Sequence, residues 1–192
     1  MIRKNLLFFF LVYSLLSFKI NAFNGMNIRF FEEGQTKAYF KMNAQFMEHS
    51  LSGLLIIKQM HAGEYRLVLT METGIKVFDI SIFPQKLKWH EAMPMYANPF
   101  VKKIIRKDLQ LLLHRPFTEE NSLPYGEVVR EIKWKYLYSK QDENTLEKKR
   151  HKKKNAEMAL KTINNQGLIL QSEHTFGNTP YSSFYQRIPI NP

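Results

Sequence analysis

The stretch Ser52–Phe83 reads SGLLIIKQMHAGEYRLVLTMETGIKVFDISIF and decides the fold of the chain. It contains three apolar segments separated by two short turns, which are closed by Gly63 and Gly74. Tight hairpin loops need a residue with a positive φ angle, and glycine adopts it without steric cost. The stretch therefore predicts a three-stranded antiparallel β-meander.

Two further segments alternate strictly between apolar and polar residues, Ala38–Glu48 and Glu127–Ser139. Alternation with a period of two is typical of a strand that buries one face and exposes the other. The predicted buried faces carry Phe40, Met42, Ala44 and Phe46 in the first segment, and Val128, Ile132, Trp134, Tyr136 and Tyr138 in the second. Both segments are therefore expected to be antiparallel strands.

One helix is expected at Pro99–Leu113. Asn98 is a good N-cap, and Pro99 suits the first helical position, where its missing N–H is not needed. Apolar residues recur at three- and four-residue spacing, and Pro116 follows the helix. Such an amphipathic helix most often packs on a sheet. Its cationic polar face leaves binding to a membrane surface as the alternative.

These elements predict an α+β fold that is mainly antiparallel β, with about nine to ten strands and one main helix at about residues 99–113. A strongly curved sheet or incomplete barrel with the helix packed on it would bury the most apolar surface. Sheets of this kind enclose either packed side chains or one small apolar ligand. Residues 23–192 are expected to form a single β-rich domain.

Residues 1–22 have the pattern of a signal peptide. Arg3 and Lys4 precede the apolar run Leu6–Leu16, and Ala22 ends a more polar segment that suits cleavage. An uncleaved membrane anchor is the alternative. The chain has no cysteine, which excludes disulfides and the lipidated cysteine of bacterial lipoproteins. We therefore expect export through a cleavable signal peptide to the periplasm, without a lipid anchor, and the extracellular medium stays open as a destination.

No sequence motif indicates catalysis, a metal site or a cofactor. The chain lacks a glycine-rich phosphate loop and a G-x-S-x-G elbow, its six histidines are scattered, and no serine has an evident histidine partner. Asp79 and Asp108 would form a carboxylate pair only if the fold brought them together. The sequence therefore predicts a protein that is not an enzyme.

Two sets of residues are candidates for binding. The net charge of +11 favours anionic partners, and the predicted signal peptide argues against nucleic acid as one of them. The candidates for contact with an anionic membrane surface are Lys148, Lys149, Arg150, Lys152, Lys153 and Lys154. A solvated strand or hairpin tip is the alternative interpretation of that run.

The candidates for lining a ligand cavity are Phe40, Phe46, Phe78, Ile80, Trp134 and Tyr136, and the alternative is that they fill the core.

The region Leu51–Leu113 resembles the lipoprotein-localisation (Lol) carrier and receptor superfamily of the Gram-negative periplasm. The resemblance rests on the strand at Gly53–Ile57, the strand at Tyr65–Leu69, the segment Gly74–Phe78 and a helix that ends in three leucines. It implies an unclosed antiparallel barrel with a helical lid and an apolar cavity for acyl chains. The chain lacks the lipidated cysteine of the receptor branch. An uncharacterised exported family with the same architecture is the alternative.

These observations together favour an exported binding protein of the cell envelope that holds a lipid, an acyl chain or a lipoprotein in a β-sheet cavity. The alternative is a structural or accessory envelope protein with a filled core and no ligand. The sequence leaves the ligand, the protein partner and the oligomeric state open.

Overall fold

A computed structural model describes residues 26–27, 30–61, 64–83, 86–113, 122–123, 128–131, 134–141, 144–150, 157–177 and 179–190. The predicted signal peptide, residues 1–22, lies outside these ranges. Side chains at several positions of 128–140, Trp134 and Tyr136 among them, are also outside the description.

The described strands form one large antiparallel sheet and one small one. The strands are β1 (Met26–Asn27), β2 (Lys37–Phe46), β3 (His49–His61), β4 (Glu64–Met71), β5 (Lys76–Ile82), β6 (Leu87–Ala92), β7 (Ser122–Leu123), β8 (Val128–Glu131), β9 (Trp134–Lys140), β10 (Thr145–Arg150), β11 (Glu157–Ile163), β12 (Ile169–Phe176) and β13 (Tyr181–Ile188). The large sheet has eleven strands in the order β6-β5-β4-β3-β2-β13-β12-β11-β10-β9-β8, and β1 pairs with β7. Its edges, β6 and β8, are not paired with each other, so the sheet is open.

The predicted meander is confirmed, because β3, β4 and β5 are sequential antiparallel neighbours. Gly74 closes its second turn with a φ angle of 84°. Gly53 on β3 has a different role from that of Gly74. A Cβ atom built at Gly53 would lie 2.2 Å from the carbonyl oxygen of Thr70. The backbones of β3 and β4 therefore approach too closely for any side chain at that position.

The single long strand predicted at Glu127–Ser139 is wrong. The segment forms two strands, β8 and β9, which pair antiparallel with Glu131 opposite Trp134. The chain therefore reverses direction between Glu131 and Trp134, and the two halves of the segment are neighbouring strands. Alternation did not reveal the reversal, because Ile132 and Lys133 are not turn-forming residue types.

The helix α1 spans Pro99–Leu112 and confirms the prediction to within one residue. The Asn98 side-chain oxygen accepts a hydrogen bond of 2.8 Å from the backbone N–H of Phe100. The helix lies against β11 and β12 and buries Ile105, Leu109 and Leu112 in the core. The molecule is therefore a mostly antiparallel sheet with one α-helix among the residues that the structure describes.

The inner face of the sheet, which faces α1, changes character from one side to the other. On β2–β5 it is apolar, and the residues Phe40, Leu55, Leu69 and Phe78 are direct cross-strand neighbours. On β13 to β10 the same face carries polar side chains, and here the successive cross-strand neighbours are Tyr185, Ser172, Lys161 and Leu146. The polar half holds the candidate site.

Candidate functional site

The centre of the polar half is the carboxylate of Asp108, which α1 presents to β12 and β13. Its Oδ1 accepts hydrogen bonds from His174 Nδ1 at 2.6 Å and Ser183 Oγ at 2.5 Å. Its Oδ2 accepts from the hydroxyls of Tyr181, at 2.7 Å, and Tyr185. Asp108 is 1% exposed, so four donors from two strands replace the water that an ionised carboxylate would otherwise bind.

The imidazole of His174 extends this cluster to β12. Its Nε2 lies 2.7 Å from Ser172 Oγ, and both residues are fully buried. Burial lowers the pKa of His174, although Asp108 acts in the opposite direction. The ring is therefore neutral, with Nδ1–H donating to Asp108 and Nε2 accepting from the Ser172 hydroxyl. Burial, with the nearby Asp108 charge as the next cause, raises the pKa of Tyr181 and of Tyr185 well above the usual value.

The order serine, histidine, aspartate is the one used by nucleophilic hydrolases. Here Ser172, His174 and Asp108 are all covered, and the serine hydroxyl has 0% exposed surface. A nucleophile must reach the substrate carbonyl, and Ser172 does not line the cleft described below. The arrangement therefore fits a structural role, in which it fixes the helix to the sheet. Asp79 belongs to a different cluster, because it forms a two-fold ion pair with Arg66 at 2.8 Å for each bond.

Two buried lysines bind the C-terminal end of α1. Lys148 Nζ donates to the carbonyl oxygens of Gln110 at 2.5 Å and Leu113 at 2.6 Å, and Lys161 Nζ donates to that of Leu112 at 2.5 Å. The last carbonyls of a helix have no partner within the helix and carry partial negative charge. The two ammonium groups therefore donate hydrogen bonds to these carbonyls and offset their partial negative charge where the helix ends.

A third tie joins the helix to β11 through Glu157. Its carboxylate lies 2.6 Å from Lys107 Nζ and 3.4 Å from Arg150 Nη1. Glu157 is buried, whereas the two basic side chains are partly exposed. Together with Asp108 and the two buried lysines, Glu157 and its two basic partners make the helix–sheet contact unusually rich in charge.

The structure separates the aromatic and aliphatic residues that were predicted to line a cavity. Phe40, Phe78 and Ile80 belong to the closely packed core and are at most 1% exposed. Phe46 is half-buried beside two other rings, with centroid distances of 6.3 Å to Phe100 and 6.5 Å to Tyr181. The side chains of the remaining two candidates, Trp134 and Tyr136, lie outside the described part of the chain.

The predicted cationic run is also divided. Lys148 is buried under the helix, so its ammonium group is not on the surface. Lys149 is exposed, and Arg150 is half-buried beside Glu157. Lys152, Lys153 and Lys154 lie outside the residues that the structure describes.

An open cleft of about 830 Å³ lies on the other side of the sheet from Asp108. Its floor is a row of five cross-strand neighbours on β10, β11, β12, β13 and β2, namely Lys149, Met158, Thr175, Ser182 and Gln45. Its rim comes from the ends of β2 and β12 and from the loop before β13, with Met47, Phe176, Gly177, Thr179, Pro180 and Tyr181. The cleft therefore combines the side chains of Met47 and Met158 with neutral polar groups and the exposed Lys149, whereas the rings of Phe176 and Tyr181 belong to the opposite face of the sheet.

Most of this arrangement was not predicted from the sequence, although two signals were present. Asp108 lies within the apolar stripe of α1, one position before Leu109 and four after Ile104, where a carboxylate needs a buried partner. Ser172 and His174 are two positions apart on an alternating strand, so they share its inner face.

No family model matches the chain, and no curated protein matches it. Within the described ranges, no three histidine, aspartate or glutamate side chains come together as a metal site. No helix in that part of the chain is long and apolar enough to cross a membrane.

Proposed function

We propose that the chain is a non-catalytic binding protein of the cell envelope, exported through its signal peptide to the periplasm, that holds the acyl chain of a lipid or acylated protein. The observation that carries the proposal is the open cleft, in which the apolar side chains of Met47 and Met158 lie together with the exposed Lys149. An amphiphile with an acyl chain and an anionic head has the complementary chemistry.

The lining of the cleft suits such a ligand. Its volume of about 830 Å³ is within the usual range for small-molecule sites. Methionine side chains are flexible and polarizable, so Met47 and Met158 can adapt to chains of different length. Lys149 can form a charge-assisted hydrogen bond with a carboxylate or phosphate.

The open antiparallel sheet is compatible with the Lol resemblance, although the cleft lies on the face of the sheet away from α1. Neighbouring strands in a sheet are rotated by about 20–25° on average, so an eleven-stranded sheet curves unless something flattens it. An unclosed antiparallel barrel with a helical lid and an apolar cavity is the arrangement that the Lol resemblance implies. Membership of that superfamily stays a prediction.

Binding can be tested with a fluorescent fatty acid and by native mass spectrometry of the purified chain. We expect Met158→Ser to weaken binding about tenfold, because an apolar side chain contributes about 1.5–3 kcal/mol when buried. Lys149→Ala should weaken it about tenfold, as expected for the loss of one charge-assisted bond of about 1.5 kcal/mol. The matched controls, Leu170→Ser on β12 and Lys41→Ala on β2, change exposed residues outside the cleft and should leave affinity unchanged.

A protein that neither co-purifies with an acyl ligand nor binds the added fatty acid would contradict the proposal. The same result would favour a second candidate, a structural or accessory envelope protein with a filled core. The observation behind that candidate is the close packing of Phe40, Phe78 and Ile80, which were expected to line a cavity.

A further inference from the structure

Several connections meet at one end of the large sheet, which we call the Met47 end. They are the turn between β2 and β3, the turn between β4 and β5, the loop between β12 and β13, and the start of α1. The ring contact between Phe46 and Phe100 brings the first of these to the helix, at 6.3 Å between centroids. The hydrogen bond from Met93 N to Val77 O, 2.9 Å, places the approach to α1 at this end as well.

The Met47 end exposes an unusual share of apolar side chains. Seven large hydrophobic residues of the described ranges are exposed, and four of them lie here. These four are Met47 at 62%, Met95 at 61%, Phe100 at 56% and Ile75 at 53%, the highest exposures of the seven. They come from three separate connections, so a single poorly packed loop does not explain them. Apolar groups concentrated at one end indicate an interaction surface.

Met47 has a backbone conformation that is unfavourable for any residue with a side chain. It has a φ angle of 52°, and no other non-glycine residue in the described ranges has a positive value. In a two-residue hairpin turn this first position favours glycine, because a Cβ atom in the left-handed region costs about 1–2 kcal/mol. The exposed side chain recovers little of that cost through packing. The position is therefore better explained by contact with something outside the chain than by stability.

The charge around the Met47 end is positive. Lys102 and Lys103 lie near the beginning of α1, whose first turn contains no acidic residue, and Lys149 is at the cleft. Glu48 and Glu72 are the opposing exposed carboxylates in the two turns. Lys76 forms an ion pair with Glu91 at 2.8 Å, so these two charges cancel. Exposed methionine and phenylalanine side chains beside lysines match an anionic bilayer, in which acyl chains lie under negatively charged headgroups.

We infer that the Met47 end docks onto the surface of an anionic lipid bilayer, with Met47 and Phe100 inserted at the headgroup boundary and the lysines of α1 against the headgroups. The inference goes beyond the proposed function, because docking does not require the cleft to hold a ligand. Of the predicted cationic run, Lys149 lies with Met47 at the cleft, whereas Lys148 is buried under the helix. Since Met47 also lines the cleft, the cleft would open toward the bilayer.

The test is co-sedimentation of the purified chain with vesicles of phosphatidylcholine alone and of phosphatidylglycerol mixed with phosphatidylcholine. We expect binding to the anionic vesicles that weakens as salt is raised. Phe100→Ser should reduce binding about tenfold, which corresponds to 1.4 kcal/mol of lost insertion. Lys102→Ala combined with Lys103→Ala should reduce it about 20- to 30-fold, at about 1 kcal/mol for each lysine near the surface.

Met47→Gly separates docking from folding, because it removes the inserted side chain and relieves the backbone at once. It should weaken vesicle binding and leave the free energy of unfolding equal or higher. The control Met60→Ser changes an exposed apolar residue at the opposite end of β3 and should bind as the unaltered chain does.

Equal binding of Phe100→Ser, Met47→Gly and Met60→Ser to anionic vesicles would overturn the inference, as would the absence of any preference for anionic lipid. Association of the chain with itself that is lost in Phe100→Ser, without vesicle binding, would assign this end to a second copy instead. Vesicle binding without a fatty acid in the cleft would uphold the inference and contradict the proposed function.

Discussion

Replacing Asp108 by asparagine tests whether the buried polar cluster holds the helix on the sheet. The side chain keeps its shape but loses its charge, and its amide nitrogen faces two of the four groups that now donate to Asp108. Hydrogen bonds to charged groups contribute about 1.5–3 kcal/mol each, against about 1 kcal/mol for neutral ones. Allowing for rotation of the tyrosine hydroxyls, we expect the free energy of unfolding to fall by about 3 kcal/mol.

Asp108→Leu should be worse, because it leaves all four donors without an acceptor in a site that is 1% exposed. We expect a loss of about 5 kcal/mol, which is exceptional for one substitution and a large part of the stability of a typical domain. The assay is urea denaturation at equilibrium, followed by far-ultraviolet circular dichroism, with the midpoint and slope compared among variants.

Glu91→Gln is the matched control, because it removes a carboxylate whose ion pair with Lys76 is exposed, and such pairs contribute at most about 1 kcal/mol. A change of less than 1 kcal/mol for Asp108→Asn, similar to that of the control, would refute the reasoning. The cluster would then be a consequence of helix packing and not one of its causes.

Three further predictions concern single positions. Gln110→Leu should raise the free energy of unfolding by about 1–2 kcal/mol in urea denaturation, because both polar atoms of this buried amide lack a hydrogen-bond partner. Gly53→Ala should lower it by about 2 kcal/mol or more, since the added Cβ would meet the Thr70 carbonyl at 2.2 Å. His174 has a lowered pKa when folded, so only the unfolded chain gains its proton as pH falls below about 6.5, and stability should decrease there. Urea midpoints measured between pH 7 and pH 5 should fall less for His174→Asn, and an equal fall would contradict the assignment of this effect to His174.

Local patterns predicted the parts of the fold that depend on neighbours in the chain. Glycine at Gly74 and a cap at Asn98 act within a few residues, so the meander and the helix followed from the sequence. The reversal between β8 and β9 did not, because no turn-type residue marks it and the alternation continues through it.

The site was harder to predict because its residues meet only in three dimensions. Lys148 belongs to a run of basic residues, which suggested a solvated surface. Yet it lies two positions after Leu146 on β10, and both face the helix. The partners of Asp108 are 66 to 77 positions away along the chain, beyond the range of any local pattern.

The polar half of the inner face also affects the register in which the C-terminal strands pair. The inner positions of β12 and β13 include Ser172, His174 and Ser183, which offer little apolar surface, and hydrophobicity alone specifies strand register weakly in such strands. A slip of one residue would turn every donor away from Asp108 and leave its charge buried without a partner. The carboxylate on the helix therefore specifies the register of these strands, because only one register supplies its hydrogen-bond donors and the neighbouring registers are destabilised.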